Sequence, residues 1–129
     1  MMNLRNDIKH FLILSLLSFF ILFSCSVNLF AEEINWIEVG KTSNQIQFID
    51  VSSIKYNSKG FLSVLTKFSE VSPEDQKVIT SNSYLMAVDC DNRLFSKLPV
   101  DGELKQVKKW EEPLNNKLIK NTILNSCAF

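Results

Sequence analysis

Few side chains in this sequence can do chemistry, and three cysteines lead them. Cys25, Cys90 and Cys127 are the only thiols, and His10 is the only histidine. Cys90 and Cys127 lack the CxxC spacing of a redox pair and the companion ligands of a metal site. Two cysteines of a small domain in an oxidising compartment pair with each other. A Cys90–Cys127 disulfide is therefore expected, closing a loop of about 37 residues and stabilising the fold by roughly 4 kcal/mol. Cys25 stands apart, because Leu22-Phe23-Ser24-Cys25 is similar to a bacterial lipobox and would make it a lipid attachment point.

The remaining polar clusters read as structure. Asp89, Asp91 and Asn92 bunch together but lack the companion ligands and loop spacing of a calcium site, so they flank a hairpin turn. Glu74-Asp75 and Glu111-Glu112 are solvated surface pairs. Lys105, Lys108 and Lys109 beside Trp110 suggest an edge strand with protective lysines. Gly40, Gly60 and Gly102 are too far apart to cradle a phosphate. No catalytic residue, metal ligand set or cofactor site is expected, and the chain reads as non-enzymatic.

These residues need a scaffold, and the first 31 residues do not belong to it. Arg5 and Lys9 precede a run of 13 apolar or small residues, Phe11–Phe23, the pattern of a signal sequence rather than of a bilayer span. Cleavage is expected after Ala31, before Glu32-Glu33, with lipidation at Cys25 as the alternative. His10 leaves with the leader, so the remaining domain has no histidine for a Ser–His–Asp triad, a Cys–His pair or a metal. The expected location is extracytoplasmic: periplasm, cell surface or secreted. A membrane enters only through lipidated Cys25 or an uncleaved signal.

Residues 32–129 suit one small domain. The chain has 14 basic and 14 acidic residues, and losing Arg5, Lys9 and Asp7 leaves 12 against 13. A near-neutral domain with Arg93 as its single arginine has no footprint for nucleic acid. Ile34–Val39, Gln45–Ile49, Phe61–Phe68, Ser81–Cys90 and Arg93–Leu98 read as strands, with Glu103–Trp110 as a sixth at the sheet edge. Asp50 opens a tight turn that points Ile54 back to the core. Gly60 supplies positive φ in a hairpin. Along Ser81–Cys90 the alternation puts Tyr84, Met86, Val88 and Cys90 on one face. After Pro113 the period becomes helical, with Asn115 as N-cap. Leu114, Leu118 and Thr122 form one stripe and Ile119, Ile123 and Cys127 the next. The fold class is α+β: an antiparallel sheet of five to six strands with one C-terminal helix on a face, tethered by the disulfide.

An ordered set of residues runs through this domain: Trp36, Gly40, Phe48-Ile49-Asp50, Ser53-Ile54, Gly60, Ser81, Asp89-Cys90, Arg93, Gly102, Trp110, Pro113 and Cys127. In order and spacing it resembles the surface-adhesin protein E family of small bacterial exported proteins, over about Ile34 to Cys127. Phe48-Ile49 replaces an aromatic pair frequent in that family, and Asn115 a frequent capping serine. The resemblance implies structural roles for Trp36, Asp50, Ile54, Gly60, Arg93, Trp110 and Pro113. It also implies, for some members, binding of host extracellular proteins. The expected function is a binding module at the envelope or surface, with an unidentified host extracellular protein or envelope component as partner. The alternative is a small periplasmic accessory or structural protein.

Overall fold

The computed structural model describes residues 4–25 and 33–129. They divide into an N-terminal unit and a domain beginning at Glu33. The N-terminal unit contains helix α1 (Leu4–Cys25), which carries the expected signal segment. The expected cleavage site at Ala31 lies outside the described residues. Among the described residues, no helix is long and apolar enough to cross a membrane.

The domain is an antiparallel six-stranded sheet with a C-terminal helix, α2 (Lys117–Cys127). Its strands are β1 (Trp36–Lys41), β2 (Gln45–Asp50), β3 (Lys55–Tyr56), β4 (Leu62–Val71), β5 (Val78–Asp89) and β6 (Leu94–Leu98). The order is β1-β2-β4-β5-β6, and β3 pairs with β4 through Lys55↔Ser63 and Tyr56↔Leu62. Both β2 and β3 can pair with β4 because a tight turn at Val51–Ser53 separates them. Asp50 builds that turn: its Oδ1 accepts from Ser52 N at 3.0 Å, Ser52 Oγ at 2.6 Å and Asn35 N at 2.9 Å. Ser53 Oγ then donates to Asp50 O and accepts from Leu65 N, fastening the turn to β4. Ile54 packs against the core, as the sequence suggests.

Alternation decides what is buried. Paired antiparallel residues share a face, so Ile49, Val64, Leu62, Met86, Val88 and Phe95 line the side that receives α2. Ile119 and Ile123 complete this core from the helix. Tyr84 and Cys90 pack at its margin, on the face expected for them. Cys90 and Cys127 are disulfide-bonded with Cα atoms 5.8 Å apart, fastening the end of α2 to the end of β5.

Four local readings change. Residues 103–110 form a 3₁₀ turn at Leu104–Gln106 and then an irregular segment that meets β6 at a single bridge, Phe95↔Glu111. Pro99, Asp101 and Gly102 turn the chain away from the edge first, and the sixth strand is β3 instead. The helix N-cap is Asn116, whose side chain accepts from Ile119 N at 3.1 Å. Leu114 has φ +48° and is exposed, so its stripe begins at Leu118. Finally, β1 does not stop at Gly40. It passes through a bulge between Glu38 and Gly40 and continues to Lys41.

Candidate functional site

Helix α2 starts part-way along the sheet and leaves the far end of the same face open. The register fills this area with neighbours from four strands. Gln47 pairs with Phe68, Phe68 with Asn82, and Thr66 with Tyr84. Lys97 lies opposite Met86, one strand further on. Of these, Gln47, Phe68, Asn82, Tyr84 and Lys97, with Gln45 and the N-terminal end of α2 (Asn116, Leu118, Ile119), line a groove of about 340 Å³.

Most of the polar lining is uncharged. Gln47 is 1% exposed, and its Nε2 donates to the Tyr84 hydroxyl at 3.1 Å. Thr66 Oγ1 donates to Tyr84 O at 3.0 Å, fixing the backbone beneath the ring. Burial pushes the Tyr84 phenol above its ordinary 10.0, while the neighbouring Thr66 and Gln47 side chains pull it down by less. Tyr84 is therefore a neutral hydrogen-bonding group at physiological pH. The Lys97 ammonium stands 5.0 Å from the Tyr84 ring centroid, within cation–π range. No carboxylate among the described residues comes within ion-pair distance of it. The groove thus offers amides, a phenol and one cation. It can hold a polar or acidic group, and it lacks a nucleophile paired with a base.

The opposite face carries a different cluster. Lys67 Nζ lies 4.7 Å from the Trp36 ring and 4.6 Å from the Phe48 ring. The pairing Phe48↔Lys67 and the alternation of β1 place all three side chains together. This cluster is a packing device, since both rings are occupied by the protein's own lysine. Trp110 tilts against Phe61 with ring centroids 4.9 Å apart. Lys105, paired with Glu103 at 2.9 Å, borders one hollow with Trp110, while Lys108 and Lys109 border another with Lys97, so the basic-aromatic grouping does not form one patch.

The residues singled out from the sequence are dispersed through the domain. Trp36 opens β1, Asp50 ends β2, and Gly60 has φ +82° in the turn before β4. Arg93 has φ +54° in the β5–β6 turn, where Asp89 accepts from Asn92 N and Nδ2. Pro113 O accepts from Asn116 N just before α2. Cys25 is the last residue of α1. None of them lines the groove. Among the described residues, no His, Cys, Asp and Glu side chains group as a metal site. The groove residues Gln47, Asn82 and Lys97 escaped the sequence reading because they meet only through cross-strand register. The alternation of β5 marked Tyr84 alone.

Fold and site together define a small, disulfide-stapled α+β domain with an open hydrogen-bonding groove beside its helix. The model of the surface adhesin-E family matches residues 37–129, and the chain belongs to that family. No curated protein and no solved structure matches it.

Proposed function

We propose that this chain is an exported envelope or surface protein whose domain is a non-catalytic binding module for a protein partner. The observation that carries the reading is the groove between β2, β4, β5, β6 and α2, whose polar groups are neutral except for Lys97. Such a lining recognises a surface by hydrogen bonds and a single charge, and supplies no acid–base pair. Membership of an adhesin family supports the same conclusion. The leader pattern supports export.

The test is binding by the processed protein to immobilised extracellular-matrix proteins and, in parallel, to proteins of its own envelope. Saturable binding that weakens about tenfold in Lys97→Glu, roughly 1.4 kcal/mol, is expected. Binding to matrix proteins assigns adhesion, and binding confined to envelope proteins assigns the accessory role. A folded, disulfide-bonded protein that binds neither pool would overturn the reading.

A further inference from the structure

The two long margins of this sheet are treated differently. The β1 margin is short, is interrupted by the bulge at Glu38/Gly40 and carries the exposed charges of Glu38 and Lys41. The other margin is divided. β5 pairs with β4 from Val78 to Val88, but β6 covers only Leu85–Asp89 of its outer side. After Leu98 the chain leaves the sheet, in a turn closed by Gly102 N donating to Pro99 O at 2.8 Å. Among the described residues, the outer backbone edge of Val78–Tyr84 therefore has no strand beside it.

That open edge has neither lysine nor proline, and its one irregularity is the register shift between Val78 and Thr80, where Ile79 has no partner on β4. An exposed strand edge is commonly blunted by lysine, proline or a bulge. Val78–Ser83 reads Val-Ile-Thr-Ser-Asn-Ser, without a charge or a proline, and every residue in it is exposed. Val78 is 62% exposed and Ile79 65%. From Thr80 to Ser83 the register with β4 is regular, so the backbone is already extended and fixed on its inner side. Val, Ile and Thr favour that conformation. Along Thr80–Ser83 an added strand would find alternate N–H and C=O groups presented in order, at little entropic cost to the domain.

Chemistry selects the occupant. Thr80, Asn82 and Tyr84 lie on the groove face, and Lys97 reaches over Tyr84 from the last turn of β6's pairing. A strand continuing the line of β6 along Val78–Ser83 would project alternate side chains beside Asn82 and the unpaired Lys97 ammonium. A second copy of this chain would bring the same uncharged segment and leave Lys97 unanswered. We propose that the β5 edge at Val78–Ser83 docks an extended acidic segment of another protein, added as a strand, with a carboxylate on the groove side meeting Lys97. This rests on the reading of the domain as a binding module and specifies how the partner is held.

The test uses the processed protein and two synthetic peptides, one alternating Val or Thr with Glu and its counterpart with Lys for Glu. Proline is placed separately at Ser81 and at Asn82. One of these N–H groups faces β4 and the other the open edge, so the variant that keeps the parent melting temperature marks the edge-facing position. The acidic peptide is expected to slow amide exchange at alternate residues of 79–83 by roughly tenfold or more. The Lys peptide should not do so, the folded proline variant should lose the effect, and Lys97→Glu should reverse the preference. Protection elsewhere, equal protection by both peptides, or none by either would overturn the proposal. So would edge protection that appears without peptide as protein concentration rises, because the occupant would then be a second copy. A protein partner bound equally well by the folded proline variant would sink the edge while leaving the binding-module reading intact.

Discussion

At the scale of single residues, Tyr84 links the groove to stability. Its phenol is held above the ordinary 10.0 by burial, so the folded state keeps its proton where the unfolded chain begins to lose one. Stability linked to this group is complete below about pH 10 and declines as pH rises through the higher folded value. Tyr84→Phe should flatten that alkaline decline in melting temperature while costing about 1 kcal/mol at neutral pH, since Gln47 Nε2 loses its acceptor. Melting curves of both proteins between neutral and strongly alkaline pH check this, and parallel declines would contradict it. Gly40 makes a second residue-scale case. A Cβ there would lie 2.8 Å from Leu118 Cδ2 and 3.3 Å from Asn121 Nδ2, so the bulge of β1 admits the helix only because a side chain is missing. Gly40→Ala should cost about 1–3 kcal/mol by overpacking, measured by urea denaturation. An unchanged midpoint would mean that Leu118 re-packs freely.

At the scale of elements, the disulfide and α2 act together. The helix has 11 residues, too few to be stable alone in water. It is held by burying Leu118, Ile119, Thr122 and Ile123 and by the bond from Cys127 to Cys90. The cross-link spans 37 residues of sequence and contributes roughly 4 kcal/mol in the chain-entropy model. The Cys90→Ala/Cys127→Ala double variant should lose about 2–4 kcal/mol by denaturant unfolding, with amide protection lost first in α2. A midpoint within error of the parent would show that helix packing alone suffices. The pairing was legible in the sequence because β5 alternates with period two and α2 repeats at three and four residues, which sets both cysteines on core faces. Residues 103–110 were misread because lysines beside Trp110 suggested a protected edge strand, whereas Leu104, Val107 and Trp110 recur every third residue rather than every second. A local Glu103–Gln106 capping arrangement and the Phe61–Trp110 contact hold them elsewhere. Of the groove, only Tyr84, Leu118 and Ile119 were marked by local periodicity, and as core-face residues, since no local pattern joins Gln47 to Tyr84, 37 residues later.

At the scale of the whole molecule, the division of the chain into two units bears on where the domain would fold. The domain begins at Glu33 by its contacts, and the leader pattern ends at Ala31, so a cut between them would leave the sheet, helix and disulfide entire. A domain of this size buries only somewhat over ~60% of the surface its unfolded chain exposes, which makes the cross-link matter most. That cross-link forms and persists in an oxidising compartment, where a leader would deliver the chain. If the chain is exported as proposed, export and folding are coupled, since retention in a reducing cytoplasm would withhold the disulfide. The expected species in the cell envelope starts at Glu32 and gains the mass of two hydrogens when Cys90–Cys127 is reduced. Intact mass spectrometry of the native protein, before and after reduction, measures both at once. A species starting at Cys25 with acyl chains would instead tether the domain to a membrane, leaving the β5 edge and groove to act at the end of the segment between Cys25 and β1. A full-length chain with two free thiols in the domain would refute export and the disulfide's role together.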